Sequence, residues 1–304
     1  MRAIVTGATG MLGWNLIEYL IQRDIEVLAV VNPASQRKDC IPKHKYVTIL
    51  EMDLRKLPEQ ALQQTYDYFF HLGWKGTNKE LRDDMYLQEE NVREALQMVD
   101  FAKKAGCSVF VGAGSQAEYG TGMVEKLNGT LPARPETAYG IGKYMAGIMT
   151  GKRCRQLKMR HQWVRILSVY GPGDGMNTMV MSGIRKLLKG EVSAYTKAEQ
   201  QWDYLYVKDA VEALYLIAEK GVDQKIYCLG SGCARPLKDY IFDMRDAVDS
   251  KAEIEIGALP YPEYPVMYLC ADISELCEDT GFQVKTTFSE GIRETAEWMK
   301  GKIE

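Results

Sequence analysis

Short runs of β-branched and other apolar residues alternate with longer stretches of helical periodicity through the first half of the chain. This alternation is typical of a parallel sheet covered by helices on both faces, because each crossover between parallel strands requires a long connection. The apolar runs predict strands at residues 3–6, 26–31, 45–51, 68–72, 108–112 and 162–167. The stretches between them predict helices that include residues 15–23, 81–104 and 137–158.

The regular alternation stops near residue 170, where Gly171-Pro172-Gly173-Asp174-Gly175 forms a cluster of turn residues. We therefore expect a doubly wound, mostly parallel α/β sheet of the Rossmann type over residues 1–170. Residues 171–304 are expected to form a smaller mixed C-terminal lobe that binds substrate, with some segments returning to the first domain. The helices predicted there cover residues 179–189, 208–219, 237–248 and 289–300.

Three glycines, Gly7, Gly10 and Gly13, lie between the first predicted strand and the first predicted helix. In a dinucleotide-binding turn, such glycines permit the tight turn, the approach of a pyrophosphate and the close packing of helix on strand. The amino terminus of the helix then offers free N–H groups to the phosphates. We expect the turn and the first helical residues to bind a nicotinamide dinucleotide through Gly7, Thr9, Gly10, Met11 and Leu12.

The residues after the second strand bear on the choice between NAD(H) and NADP(H). NAD enzymes usually place an acid there to bind the ribose hydroxyls, but no carboxylate precedes Asp39. Asn32, Ser35 and Arg37 could instead hold a 2′-phosphate, which favours NADP(H) and leaves NAD(H) open. Asp53 is placed either to bind the adenine amino group or to cap a helical turn.

Tyr139 and Lys143 are four residues apart on a predicted helix and therefore project from one face. A neighbouring ammonium is expected to lower the pKa of the phenol, so that Tyr139 can exchange a proton with a substrate oxygen. Ser115 lies near the carboxyl end of the fifth strand, where open α/β sheets bind ligands. Its hydroxyl is expected to bind the same substrate oxygen.

Composition and charge exclude several other classes. The net charge of -3 gives no general attraction to nucleic acid or to anionic membranes, and no apolar run approaches the length of a membrane span. The seven cysteines lack a C-x-x-C spacing, which favours reduced packing residues. The first residues run directly into a strand, so we expect no signal peptide and a cytoplasmic protein. His44, His71 and His161 are far apart, and no metal site is predicted.

Taken together, these residues resemble the extended short-chain dehydrogenase/reductase superfamily, and within it the nucleotide-sugar epimerases, dehydratases and reductases. The resemblance implies that Ser115, Tyr139 and Lys143 form the catalytic triad and that Lys143 also binds the nicotinamide ribose. It implies a nucleoside diphosphate sugar as substrate and a homodimer joined by a four-helix bundle. Further cofactor contacts are expected from Leu54, Leu72, Gly73 and Trp74.

Several positions depart from the family pattern. The acid that dehydratases of the group carry after the catalytic hydroxyl is absent at Gln116 and Ala117, which argues against water elimination as the reaction. Trp202 stands where the family usually has a diphosphate-binding Arg, and Ser168 where it usually has Asn. The residues expected to bind substrate are Ser115, Gln116, Ser168, Asn177, Trp202 and Arg235.

These observations predict an NAD(P)-dependent oxidoreductase that acts on a nucleotide-activated sugar. The main hypothesis is reduction of a 4-keto sugar, and the alternative is a 4-epimerase that retains NAD. A third hypothesis, of another class, is a non-catalytic protein that senses NAD(P) or binds a partner.

Overall fold

The computed structural model describes residues 1–78, 81–122, 125–263 and 265–303. Its strands, numbered along the chain, are β1 (Arg2–Thr6), β2 (Glu26–Val31), β3 (Val47–Glu51), β4 (Tyr68–His71), β5 (Val109–Ser115), β6 (Arg160–Ile166), β7 (Ser168–Tyr170), β8 (Ser193–Tyr195), β9 (Gln201–Trp202), β10 (Tyr204–Tyr206), β11 (Lys225–Leu229), β12 (Arg235–Pro236) and β13 (Ile254–Ile256).

The helices are α1 (Met11–Ile21), α2 (Met85–Lys104), α3 (Ala138–Gln156), α4 (Met179–Leu188), α5 (Val207–Lys220), α6 (Leu237–Val248), α7 (Ser274–Thr280) and α8 (Phe288–Ile303). Within the described ranges, none of these helices has the length and apolar character needed to cross a membrane.

The central sheet has seven strands in the order β11-β6-β5-β4-β1-β2-β3, and every neighbouring pair is parallel. The chain builds outward from β1 to β3 and then returns to the other side of β1 with β4. Such a reversal opens a crevice at the carboxyl ends of β1 and β4, where open sheets bind ligands. This topology confirms the doubly wound α/β fold that the sequence predicts.

Both faces of the sheet are covered, which explains why β1 is a continuous apolar run rather than an alternating one. Ala3 and Val5 are buried in a core that also contains the apolar faces of α1 and α5. Ile4 points to the opposite face and joins a second core with residues of α2, such as Phe101.

Several boundaries differ from those expected. β5 continues to Ser115, so this residue is the last of the strand rather than a loop residue beyond it. α2 begins at Met85 and not at Leu81, because the Asp84 side chain accepts a hydrogen bond from the Leu87 N–H at 3.0 Å and caps the helix there. α1 begins earlier than expected, at Met11, directly after the glycine turn.

The chain returns to the central sheet after residue 206. α5 lies beside α1, and β11 pairs with β6 from Lys225↔Gln162 to Leu229↔Ile166. Such returning segments are expected from the sequence, but β11 is not among the predicted strands.

The remaining C-terminal segments form a small lobe of mixed sheets. β7 pairs with β10 and β8 with β13 in parallel, whereas β9 pairs with β12 in antiparallel fashion. α4, α6 and α8 pack against one another beside them.

All seven cysteines lie in the described part of the chain, and none of them forms a disulfide. Cys107, Cys154, Cys228 and Cys270 are buried. Burial raises the pKa of Cys107 and Cys154 to about 12. These thiols therefore act as small apolar residues.

Candidate active site

The glycine turn connects β1 to α1 in a conformation that only glycine allows easily. Gly7 has φ +68, and its carbonyl accepts a hydrogen bond from the Gly10 N–H at 2.9 Å. A Cβ at residue 13 would lie 2.1 Å from the Gly7 carbonyl oxygen. The turn is thus a cradle of bare backbone at a helix amino terminus, which fits a dinucleotide diphosphate.

A cavity of about 340 Å³ extends from this turn along the carboxyl ends of β1, β2 and β4. Eight of the residues predicted to bind cofactor line it: Gly7, Thr9, Gly10, Asn32, Leu54, Leu72, Gly73 and Trp74. Val30, Met52, Lys75, Thr77 and Glu94 also line this cavity and were not singled out from the sequence. The cavity and the cradle together form the candidate cofactor site.

The other residues predicted around the cofactor have different surroundings. Met11 and Leu12 form the first turn of α1 and pack against the core. Ser35 donates its hydroxyl to Thr9 Oγ1 at 3.0 Å. Arg37 donates to the Gly173 carbonyl oxygen at 2.7 Å and lines a neighbouring groove of about 890 Å³.

Asp53 forms local interactions. Its carboxylate accepts hydrogen bonds from the Arg55 backbone N–H at 3.0 Å and from Arg55 Nε at 2.9 Å. This pairing lowers the pKa of Asp53 to about 2. The carboxylate thus caps its own turn, and its contact with adenine stays a prediction.

Ser115, Tyr139 and Lys143 come together where β5 ends beside the start of α3. Ser115 and Lys143 are 8% and 4% exposed. Lys143 Nζ donates to the Ala113 carbonyl oxygen at 2.7 Å. The Ser115 hydroxyl accepts the Ala117 N–H at 3.2 Å. Lys143 thus faces the end of β5, and Tyr139, one turn earlier on α3, is within hydrogen-bonding reach of the Ser115 side chain.

Trp74 connects this group to the cofactor cavity. Its ring centroid is 3.9 Å from Lys143 Nζ, a cation–π contact. The ring also meets the Tyr139 ring edge to face, with centroids 6.4 Å apart. Its indole N–H donates to Gln88 Oε1 at 2.8 Å, which fixes the orientation of the indole.

The pKa of Tyr139 beside Lys143 differs from the value expected from the sequence. Burial lowers the pKa of Lys143 to about 7, although the Glu118 carboxylate opposes the shift. Burial also raises the pKa of Tyr139, and the Ser115 hydroxyl and the Arg82 guanidinium offset only part of that effect. The expected lowering of the Tyr139 pKa is therefore wrong, because desolvation by burial dominates.

A buried ion pair between Glu118 and Arg165 lies behind Ser115, and it is not among the features predicted from the sequence. Glu118 Oε1 accepts the Ser115 backbone N–H and the Trp163 indole N–H, each at 2.9 Å. Glu118 Oε2 accepts Arg165 Nε at 2.7 Å, and both charged side chains are almost fully buried. The S-x-x-E spacing from Ser115 to Glu118 is a capping-box signal that could have identified the acid.

The predicted substrate residues form two groups. Gln116 borders a small pocket of about 150 Å³ that also includes Arg82, Ala117 and Thr137. Away from Gln116, the Trp202 indole N–H donates to Ser168 Oγ at 2.8 Å.

Arg235 is the register partner of Trp202 across β9 and β12. Its guanidinium forms an ion pair with Asp243 and lies 3.9 Å from the Tyr240 ring centroid. Asn177 is exposed in the turn before α4.

His71 lies at the end of β4 and is buried. Its Nδ1 is 3.0 Å from Thr6 Oγ1, and burial lowers its pKa to about 3, so the ring is neutral. Over the described ranges, no group of three or more His, Cys, Asp or Glu side chains is arranged to hold a metal ion.

Solved structures of epimerases share this fold over nearly the whole chain. UDP-N-acetylglucosamine 4-epimerase from Methanobrevibacter ruminantium, in complex with UDP-N-acetylmuramic acid, gives a TM-score of 0.89 at 22% identity and covers 99% of this chain and 98% of its own. UDP-glucuronic acid 4-epimerase from Bacillus cereus, in complex with NAD, gives 0.84 at 18% identity and covers 100% of both chains.

Among curated proteins, ADP-L-glycero-D-manno-heptose-6-epimerase of Nitratidesulfovibrio vulgaris is 24% identical over 84% of each chain. A model of the NAD-dependent epimerase/dehydratase family matches residues 3–230. This match confirms the predicted kinship, the nicotinamide dinucleotide and the enzyme class. The chain belongs to the NAD-dependent epimerase/dehydratase family.

Proposed function

We propose that the protein is an epimerase of nucleotide-activated sugars that retains NAD and inverts the carbinol carbon C4. The observation that carries this proposal is the grouping of Ser115, Tyr139 and Lys143 at the end of β5, beside the cavity of the glycine turn. The similar proteins named above support epimerisation rather than the 4-keto-sugar reduction that the sequence analysis favours.

The bound cofactor would supply the hydride acceptor and donor, and the protein would supply the proton chemistry. In its phenolate form, Tyr139 would take the proton of the substrate hydroxyl as the carbinol becomes a ketone, and the Ser115 hydroxyl would bind the same oxygen. When the ketone has turned its other face to the cofactor, Tyr139 returns the proton. One proton-transfer group is sufficient for both half-reactions, so the absence of an acid at Gln116 and Ala117 is consistent with this reaction.

Two contacts of the loop after β2 support a retained NAD. Ser35 binds Thr9 in the glycine turn, and Arg37 binds the Gly173 carbonyl oxygen from across the cleft. Both contacts would restrain the loop over a bound dinucleotide. The guanidinium of Arg37 lines the neighbouring groove rather than the cofactor cavity, which favours NAD over NADP at the ribose 2′ position.

The purified protein should therefore release NAD when it is denatured. It should also interconvert a pair of C4-epimeric UDP-hexoses without added coenzyme. UDP-, dTDP-, CDP-, GDP- and ADP-sugars should be assayed in parallel, together with 4-keto sugars and NADPH. Stoichiometric oxidation of NADPH with a 4-keto sugar would establish the reductase hypothesis instead, and cofactor binding without turnover of any sugar would favour the sensing hypothesis.

Tyr139→Phe removes the proton-transfer group and leaves the cofactor cavity intact. We expect turnover to fall by roughly 10²–10⁴-fold, the usual contribution of general acid–base catalysis. The amount of NAD released on denaturation should be unchanged. Turnover like that of the unmodified enzyme would exclude Tyr139 from proton transfer.

We also propose a homodimer formed through α2 and α3. Ile141, Met145, Ile148 and Met149 follow helical spacing on α3 and are 37–53% exposed. An apolar stripe of this size suits a second copy of the helix pair. Sedimentation should show a dimer that Ile148→Asp dissociates, whereas Val192→Asp, at an exposed apolar residue outside these helices, should leave the dimer intact. The cytoplasmic location stays a prediction.

A further inference from the structure

The segment before α2 contacts the amino terminus of α3 at the catalytic tyrosine. The Tyr139 N–H donates to the Arg82 carbonyl oxygen at 2.8 Å, and the Ala138 N–H donates to Asp83 Oδ1 at 2.9 Å. The Arg82 guanidinium carbon lies 4.4 Å from the centroid of the Tyr139 ring. The backbone contacts thus hold a cation against the face of the phenol.

Lys143 is less well placed than Arg82 to supply a permanent positive charge at the Tyr139 ring. Its Nζ is 5.8 Å from the same ring centroid, donates to Ala113 and faces Trp74. Because burial lowers the pKa of Lys143 to about 7, part of its charge is absent at neutral pH. A guanidinium keeps its charge throughout this range.

On the basis of the proposed epimerase function, we propose that Arg82 is a positioning residue for proton transfer: its guanidinium holds the Tyr139 ring and stabilises the phenolate. A cation over an aromatic face is attracted even to a neutral ring. The attraction grows when the phenol loses its proton, because the ring then carries a full negative charge.

The proton balance of the step is simple. The Tyr139 phenolate would accept the substrate O–H proton, the bound nicotinamide cofactor would supply the hydride acceptor for the C–H hydrogen, and the substrate would become a ketone. Both transfers are reversed when the other epimer forms. Arg82 exchanges no atom and acts only on the charge of Tyr139.

Other groups also act on the phenol. Arg82 and Asp83 precede α2, Ser115 ends β5, Glu118 lies in the turn that follows β5, and Lys143 lies on α3. The Glu118 carboxylate raises the Tyr139 pKa and the Arg82 guanidinium lowers it. Replacing Arg82 therefore removes a stabilising charge while the opposing acid remains.

The test is an ultraviolet titration of the Tyr139 phenol, taken as the difference between each protein and the same protein carrying Tyr139→Phe. Arg82→Gln removes the charge but keeps the backbone carbonyl that binds the Tyr139 N–H. We expect the titration midpoint to rise by about one pH unit, the lower end of the effect of a cation at this distance. Arg82→Lys should restore most of the shift.

Arg23 provides a matched control, because its guanidinium lies 3.5 Å from the Tyr19 ring centroid at the end of α1. Arg23→Gln removes a similar contact between a guanidinium and a phenol ring, and it should leave the titration midpoint of Tyr139 unchanged. An unchanged midpoint in Arg82→Gln, or an equal rise in Arg23→Gln, would overturn the proposal. This titration needs no substrate, so its result is independent of whether the proposed epimerase activity is found.

Kinetics give a second readout once a substrate is known. Arg82→Gln should lower kcat at neutral pH, shift the acidic limb of the kcat profile to higher pH and leave KM nearly unchanged. A higher KM with the pH profile unchanged would show that Arg82 binds substrate instead, and would overturn the positioning role.

Discussion

The indole N–H of Trp202 donates to Ser168 Oγ at 2.8 Å, so the two residues expected to depart from the family pattern bind each other. Ser168 lies on β7 and Trp202 on β9, and both are partly exposed. The two departures therefore form one structural unit rather than two separate changes.

A double-mutant cycle on Ser168→Ala and Trp202→Phe should reveal this coupling. Each single change removes one partner of the hydrogen bond, and a bond of this kind contributes about 1 kcal/mol net. We expect the loss in the free energy of unfolding of the double variant, measured with urea, to be about 1 kcal/mol smaller than the sum of the losses in the two single variants. Strict additivity would show that the contact contributes nothing.

Gly13→Ala should impair cofactor binding with little effect elsewhere. The added Cβ would lie 2.1 Å from the Gly7 carbonyl oxygen, so α1 must move away from the glycine turn. Overpacking of this kind costs about 1–3 kcal/mol, and where the bound state bears this cost NAD affinity falls by about 5- to 150-fold. The NAD released on denaturation measures the effect.

Gly301→Ala is the matched control for that variant, because nothing lies within 4 Å of a Cβ at this helical glycine. Its NAD content should equal that of the unmodified protein. Equal NAD contents in Gly13→Ala and Gly301→Ala would contradict the role of Gly13 in shaping the cofactor cradle.

Glu118→Gln should destabilise the fold strongly. The change leaves the buried Arg165 without its counter-ion, and breaking a buried pair in this way costs about 3–5 kcal/mol. Urea unfolding at constant pH measures the loss. Arg165→Met added to Glu118→Gln removes the orphaned charge and should recover part of the stability. A loss below about 1 kcal/mol in the single variant would contradict the importance of the pair.

Lys143 should make stability rise with pH. Its folded-state pKa is about 7 and its ordinary value is 10.5. Between these values the unfolded chain binds a proton that the folded chain does not, so the free energy of unfolding increases with pH through this window. Lys143→Met lacks this contribution. The Tm of this variant minus the Tm of the unmodified protein should therefore fall as the pH rises from 7 to 10.

Lys152→Met is the control for the pH experiment, since Lys152 lies on the same helix but is exposed. Its Tm difference from the unmodified protein should stay nearly constant over the same window. A constant difference for Lys143→Met as well would show that the buried ammonium keeps its charge.

The sequence predicts the parts of this structure that depend on short-range patterns. The glycine turn and the six strands of the first half follow from local spacing, and the structure contains them. Tyr139 and Lys143 also lie on one helix, as expected, but their roles in catalysis stay predictions. The Ser115 position at a strand end was also expected, with an error of a few residues in where β5 ends.

The parts that were missed depend on contacts between distant segments. β11 has no strong pattern of its own and becomes a strand because β6 offers an unpaired edge. Arg82 reaches Tyr139 only because the segment before α2 folds onto α3. Trp74 was predicted to contact the cofactor, but its contact with Lys143 could not be inferred from spacing.

The location of the residues predicted to bind substrate has a consequence for how sugar preference could change. Ser168, Trp202 and Arg235 lie on β7, β9 and β12, which are strands of two or three residues outside the central sheet. Tyr139 and Lys143 lie on α3 and face the long strand β5. If the predicted roles hold, substitutions on these short strands should change sugar preference and leave the central sheet and α3 unaltered.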